Sequence, residues 1–310
     1  MKILVEGIGS MVFGSQLKYY RELDWELVGI DITGYSFGLY QVDRAFIVPK
    51  YDEEECWDKI EEILVKEKID LVFPTVNEGL LNWSRNKEQY KRDFNTYVMI
   101  SDENVIDVCI DKWKTYQFFK EIGIPTPTTS LNLDYELVKP RIGRGSTGIS
   151  FKRDIDAVSF KMEGHISQEF IEGEEYTIDV LCDLNSNPIY IIPRKRLETE
   201  SGVSVKGVTI NDQEIIELTK VIIKELKPIG IINIQCFKNR QGIKFIEINP
   251  RLAGGCSLSF ASSDNWFSAI ECFYKKTKYQ SKEVIYDMFM FRYFNDLVIH
   301  EHQLLPLGEL

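Results

Sequence analysis

Residues 231–251 read Ile231-Ile232-Asn233-Ile234-Gln235-Cys236-Phe237-Lys238-Asn239-Arg240-Gln241-Gly242-Ile243-Lys244-Phe245-Ile246-Glu247-Ile248-Asn249-Pro250-Arg251. Apolar and polar residues alternate with the two-residue period of a β-strand that buries one face. The first run puts Asn233 and Gln235 on one face and Ile232, Ile234 and Cys236 on the other. The second puts Glu247 and Asn249 opposite Ile246 and Ile248, with Lys238–Gly242 as the turn. A hairpin centred near Gln241 then sets Gln235 across from Glu247. Two amides (Gln235, Asn249) and one carboxylate (Glu247) converge, the oxygen set that hard Mg²⁺ takes when nucleotide phosphates complete its shell. Arg251 points to the same side if the strand continues past Asn249.

Upstream, Leu137-Val138-Lys139-Pro140 leads into Arg141-Ile142-Gly143-Arg144-Gly145-Ser146-Thr147-Gly148. A lysine on a strand beside a loop of three glycines and two hydroxyls suits phosphate oxygens, which backbone N–H groups and cations bind. No Gly-Lys-Ser/Thr closes the loop, so it is not a Walker loop. Between these motifs lies Gln168-Glu169-Phe170-Ile171-Glu172-Gly173-Glu174-Glu175. This extended run with a glycine turn offers backbone groups to a flat heterocycle and a carboxylate to sugar hydroxyls. Downstream, Gly254-Gly255 precedes an expected helix start over Ser257–Ala261 whose N–H groups suit an anion. Arg194-Lys195-Arg196 adds positive charge on an earlier strand.

The first hundred residues alternate differently. Strands are expected at Lys2–Glu6, Trp25–Asp31, Phe46–Pro49, Asp70–Pro74 and Tyr97–Ile100. Helices are expected from Ser10 to about Leu23, over Asp52–Lys68 and over Asn77–Tyr90, with a short one capped by Ser101-Asp102-Glu103. Such alternation means a doubly wound parallel sheet. The pattern changes after Val108 to a helix over Asp111–Ile122 and then hairpins such as Tyr176–Leu181 with Pro188–Pro193. Gly7-Ile8-Gly9 with Asp31 approaches a dinucleotide fingerprint, but Gly14 follows Gly9 by five residues where the fingerprint has three. A nicotinamide-dependent oxidoreductase using this turn is one alternative.

Composition narrows the partners. The 310 residues carry 37 Lys+Arg against 48 Asp+Glu, a net charge of −11, which argues against a nucleic-acid or anionic-lipid surface. Hydrophobic residues at 44% and charged residues at 27% fit a globular chain with a sizeable core. No apolar run approaches the roughly 18–20 residues of a spanning helix, and no export signal is expected at the start. The six cysteines never form CxxC, and three histidines leave little for a His-based zinc site. A reducing, cytoplasmic setting is the expectation.

In order and spacing these motifs resemble the ATP-grasp superfamily, and the chain is similar to a single half of the carbamoyl-phosphate synthase large subunit. The resemblance implies a doubly wound α/β pre-ATP-grasp domain over 1–108. An α+β ATP-grasp domain would follow over 109–310, with a small lid at about 113–175. It implies that Lys112 and Lys139 bind ATP phosphates beneath the Gly145-Ser146-Thr147-Gly148 loop. Gln168 would meet the adenine amino group, Glu169 and Ile171 would offer backbone to the purine edge, and Glu175 would hold ribose. Gln235, Glu247 and Asn249 would ligate Mg²⁺, with Mn²⁺ as the alternative ion, and Arg251 would stabilise the acyl phosphate. Arg194, Arg196, Gly254 and Gly255 are the expected carboxylate contacts.

The implied reaction is ligation of a carboxylate and an amine through an acyl phosphate, releasing ADP and phosphate. Small molecules are the expected partners, and a homodimer is one assembly the resemblance allows. One such half stands here where the synthase carries two, so carbamoyl phosphate is not the expected product. Many relatives also place an acid where Gln235 stands. A catalytically silent ATP-binding module is the second alternative.

Overall fold

The first strand, β1 (Lys2–Glu6), is buried from its second residue onward and lies at the centre of a parallel sheet. The structure, a computed structural model, describes residues 1–145, 147–156, 159–200 and 202–304. After β1 come α1 (Met11–Arg21), β2 (Glu26–Asp31), β3 (Arg44–Ile47), α2 (Cys56–Glu67), β4 (Leu71–Phe73), α3 (Leu80–Phe94) and β5 (Tyr97–Val98). The strand order is β3-β2-β1-β4-β5, with every pair parallel. The Ser10 hydroxyl accepts from Phe13 N–H and so caps α1. Asp52–Glu55, expected inside α2, form turns ahead of it instead. Glu55 at the cap position makes no side-chain cap bond, and Cys56 begins the helix. A 3₁₀ turn over Asn77–Gly79 precedes α3 where a helix from Asn77 was expected.

The second region opens with α4 (Glu103–Ile110) and α5 (Lys112–Glu121). Four short strands follow, β6 (Thr129–Ser130), β7 (Leu137–Pro140), β8 (Ser150–Phe151) and β9 (His165–Gln168), in the order β6-β9-β7-β8. Then come β10 (Glu174–Cys182), β11 (Pro188–Glu200), β12 (Val203–Thr209), α6 (Gln213–Leu226), β13 (Gly230–Asn239), β14 (Gly242–Asn249) and α7 (Cys256–Ser262). After α8 (Trp266–Tyr274), β15 (Phe289–Phe291) closes the larger sheet, ordered β14-β13-β10-β11-β12-β15. One face of that sheet is apolar. Ile178, Val180, Ile232, Ile234, Cys236, Phe245 and Ile248 pack there with Ile215, Ile222 and Ile223 of α6.

The chain divides into two compact units, whose division between Ile100 and Ser101 falls just ahead of the expected domain boundary at 108. The first unit is Met1–Ile100 with Asn265–Tyr279 and residues 292–304, and the second is Ser101–Asp264 with Gln280–Phe291. Burial gives the reason. Val105 and Cys109 of α4 belong to the core under the large sheet, so this helix is part of the second unit. Phe267 of α8 stacks on Tyr20 with ring centroids 4.1 Å apart and lies edge-on to Phe73, which returns α8 to the first unit. No helix among the described residues is long and apolar enough to cross a membrane.

Candidate ATP-grasp site

The polar face of the large sheet is built by register. Antiparallel pairing sets Gln235 opposite Glu247 and Asn233 opposite Asn249, as the hairpin reading expected. A register shift between Gln235 and Cys236 follows, bringing Cys236 opposite Phe245. The next strand sets Thr177 opposite Gln235 and Asp179 opposite Asn233. Side chains directly opposite share a face, so one surface carries Glu247, Gln235, Asn249, Asn233 and Asp179 while the other carries the apolar core.

These residues divide into two kinds. Asp179 lies at 0% exposure and accepts from Arg194 Nε at 2.7 Å, Arg194 Nη2 at 3.1 Å, Asn233 Nδ2 at 2.8 Å and Ser259 Oγ at 2.6 Å. Burial opposes charge on Arg194, yet the Asp179 carboxylate raises its pKa above the ordinary arginine value. Arg194 is therefore a buried ion-pair partner, which corrects its expected role as an open contact for a substrate carboxylate. Gly255 is explained by the same packing, because a Cβ there would lie 2.5 Å from Arg194 Nη1. Gly254 and Gly255 form the turn before α7, whose seven residues give no anion site of their own.

Glu247 and Gln235 are half-buried, and no described side chain or amide hydrogen-bonds either side chain. The Asn249 side chain is held by Arg251, whose Nη2 donates to Asn249 Oδ1 at 3.3 Å while Nη1 donates to Leu252 O at 3.0 Å. The strand does not continue to Arg251 as expected. β14 ends at Asn249, and a tight turn with Arg251 N donating to Asn249 O brings the guanidinium back. Among the described residues no group of three or more His, Cys, Asp or Glu side chains is placed to hold a metal. One carboxylate and two amides fit Mg²⁺ only as an ion shared with nucleotide oxygens.

Lys139 is 5% exposed on β7, and Nζ donates to Gln168 Oε1 at 2.9 Å. Burial brings its pKa down to about 8, Glu247 acts against that shift, and Lys112 adds to it. Lys112 and Glu247 are thus near enough for their charges to act on Lys139. Gln168 also donates from Nε2 to Thr129 Oγ1 at 2.8 Å. Both ends of its amide are engaged, so Gln168 holds Lys139 where a contact to the adenine amino group was expected. Lys112 opens α5, capped by Asp111, which accepts from Trp113 N and pairs with Arg141. Lys112 Nζ donates to Gly143 O at 3.0 Å and its amide to Arg141 O, which ties α5 to the glycine loop.

In that loop Gly145 and Gly148 have φ of +64° and +75°, which glycine adopts without strain. Thr147 N–H donates to Arg144 O, and Ser146 lies outside the described residues. In the hinge, Glu169 N–H donates to Thr128 O, and its carboxylate takes Lys244 Nζ at 2.7 and 2.8 Å. Glu169 therefore has its carbonyl to offer a purine edge. Ile171 follows Phe170, which packs on Phe151. Glu175 is ion-paired with Arg196, so Arg196 is likewise not an open substrate contact.

Sequence reasoning missed Asp179 and Ser259. The signal for Asp179 was a lone acid between Ile178 and Val180 in an apolar strand. The Gly7–Ser10 turn lies in the first unit. Its Asp31 accepts from Gly9 N of that turn at 2.6 Å and from the neighbouring Ile32 N at 2.8 Å.

Two family models together cover most of the chain. Residues 109–255 match the model for an ATP-grasp domain, and residues 3–109 match the model for a PylC-like N-terminal domain. The chain thus carries an ATP-grasp domain preceded by a PylC-like N-terminal domain. More narrowly, it is similar to a carbamoyl-phosphate synthase of Methanobrevibacter smithii. The two are 27% identical over 293 residues, covering 84% of this chain and 77% of that protein. It is also 25% identical over 251 residues to a 3-methyl-D-ornithine–L-lysine ligase of Methanosarcina acetivorans, covering 79% of this chain and 65% of that one. A solved biotin carboxylase domain of 2-oxoglutarate carboxylase from Hydrogenobacter thermophilus, a dimer with MgADP, ADP and bicarbonate, matches with a TM-score of 0.72. It is 14% identical, covers 93% of this chain and 73% of that chain, and shows the fold.

Proposed function

We propose that this protein is an ATP- and Mg²⁺-dependent ligase that joins a carboxylate to an amine through an acyl phosphate. One observation carries the reading. The fold surrounds the Asp179 carboxylate with donors from Arg194, Asn233 and Ser259, yet leaves Glu247 and Gln235 open beside Asn249, Arg251 and Lys139. A carboxylate and an amide left open beside buried, answered polar groups suit a ligand.

Lys112 and Lys139 bind the phosphates, and Gly145–Gly148 covers them. The Glu169 carbonyl and the Ile171 amide face the adenine edge, and Glu175 takes ribose hydroxyls. Gln235, Glu247 and Asn249 hold Mg²⁺, which neutralises phosphate charge when bound. A substrate carboxylate oxygen attacks the γ-phosphorus and ADP leaves. The amine nitrogen then attacks the acyl carbon and phosphate leaves with the C–O bonding pair. Arg251 stabilises the negative charge on the acyl phosphate and on the tetrahedral intermediate. No protein nucleophile is required. The relative named for ligating 3-methyl-D-ornithine and L-lysine supports amino compounds as the second substrate.

The test needs no knowledge of the natural pair. With Mg²⁺·ATP and a panel of amino acids, hydroxy acids and amines, ADP and phosphate should appear in equal amounts. Hydroxylamine should trap the activated acid as a hydroxamate. AMP and pyrophosphate as main products would reject the acyl phosphate. Nucleotide binding without turnover across the panel would favour the silent module.

A further inference from the structure

Arg196 lies two residues beyond Arg194 on β11, so both project from the same face of the sheet. Its side chain is only 7% exposed. Nη1 pairs with Glu175, and Nη2 donates to Gly202 O at 2.8 Å in the turn between β11 and β12. Gly202 in turn meets the glycine loop. A Cβ at position 202 would lie 2.6 Å from Gly145 Cα and 2.8 Å from its carbonyl carbon, and its φ is +76°. A third donor, Arg196 Nε, is buried and has no partner. Buried N–H groups are rarely left so, and an acceptor arriving with a ligand would complete this one. The neighbouring Lys195–Glu174 pair differs, with side chains 32% and 55% exposed.

We propose that Arg196 is a positioning residue that couples ribose recognition at Glu175 to closure of the glycine loop at Gly145. The inference rests on the reading that ATP binds in this cleft. Ribose hydroxyls on Glu175 fix its carboxylate, the carboxylate fixes Arg196, and Arg196 sets the Gly202 turn against Gly145. A nucleotide without those hydroxyls should then bind more weakly and leave the loop less ordered.

Hydrogen exchange of the 142–150 segment and nucleotide affinity test this together, using Mg²⁺ with a non-hydrolysable ATP analogue and its 2′,3′-dideoxy form. The wild-type protein should prefer the ribose form by about tenfold, the scale of a charge-assisted hydrogen bond, and should show slowed loop exchange. Arg196→Gln should bring the preference to about twofold and lose loop protection even at saturation, with Arg196→Lys restoring part of both. Gly202→Ala should lose loop protection while keeping the ribose preference. Arg196→Gln with full preference and full protection would overturn the coupling. Should that variant fail to fold, an unchanged loop in Gly202→Ala would overturn it. A wild-type protein that binds neither nucleotide would instead overturn the ATP reading itself.

Discussion

Acids sit at strand ends and on strand faces in both units, and the two units treat them in opposite ways. In the first, Glu6 at the end of β1 is buried and accepts from Thr75 N at 2.7 Å, Val76 N at 3.1 Å, Trp83 Nε1 at 2.6 Å and Tyr51 Oη. Burial still raises its pKa above the ordinary glutamate value. Asp31 holds the amide of Gly9 in the first turn and that of its neighbour Ile32. In the second unit Glu247 stands on a strand face with no hydrogen-bond donor among the described residues. An acid fully answered by the fold maintains the fold. An acid left open on a rigid sheet is available to chemistry, so the two kinds should fail differently when removed.

Asp179 sharpens the comparison, because it lies in the second unit yet is answered like the acids of the first. Asp179→Ala leaves Arg194 buried and uncompensated and should cost about 3–5 kcal/mol of stability. Chemical denaturation measures that loss. A variant with unchanged stability would mean that burial and pairing do not mark the structural acids.

Glu247→Gln should do the reverse. Turnover should fall by about 10²–10³-fold, the scale of removing one preorganised electrostatic contact, while the unfolding free energy stays within about 0.5 kcal/mol. Wild-type turnover in this variant would remove the metal assignment.

Asp31→Asn tests the first unit with a smaller expected effect. Losing a charged acceptor that holds two amides should cost about 1–2 kcal/mol of stability, with the KM for ATP unchanged. A raised KM would return the Gly7–Ser10 turn to the nucleotide.

The two-residue alternation made the polar face of the hairpin legible, but Gln235 reaches Glu247 through the register shift between Gln235 and Cys236, without which the turn would set Gln235 opposite Ile246. The doubly wound sheet was legible for the same reason, from alternating periodicities. What each polar residue bonds to was not legible. Arg194 and Arg196 read as loose positive charge, yet their partners Asp179 and Glu175 lie on β10, so only strand pairing reveals them. Gln168 likewise looked free for adenine until β7 placed Lys139 beside it. The packing of α4 was not legible either, because α4 reads as one more helix of the first alternation. Only its packing under the large sheet assigns it.

The smallest effect concerns protons, and it joins Glu247 to Lys139. Burial brings the Lys139 pKa down to about 8, with Lys112 pushing the same way and Glu247 opposing. For a base whose folded pKa lies below its unfolded value near 10.4, the charged form is disfavoured by folding. Its contribution to stability therefore rises with pH between about 8 and the unfolded value, where the unfolded chain binds the extra proton. Nucleotide binding runs the other way, since phosphate oxygens favour the charged lysine. Binding at pH 8.5 should take up a fraction of a proton, and affinity should fall as pH rises through about 8. Calorimetric titration in two buffers of different ionisation enthalpy reads that uptake directly. Lys139→Met should abolish it. In Glu247→Gln the carboxylate that supports the charged lysine is gone, so the fall in affinity should begin at a lower pH. Identical pH profiles for Glu247→Gln and the wild type would mean that Glu247 does not act on Lys139 and would break the site into unconnected parts.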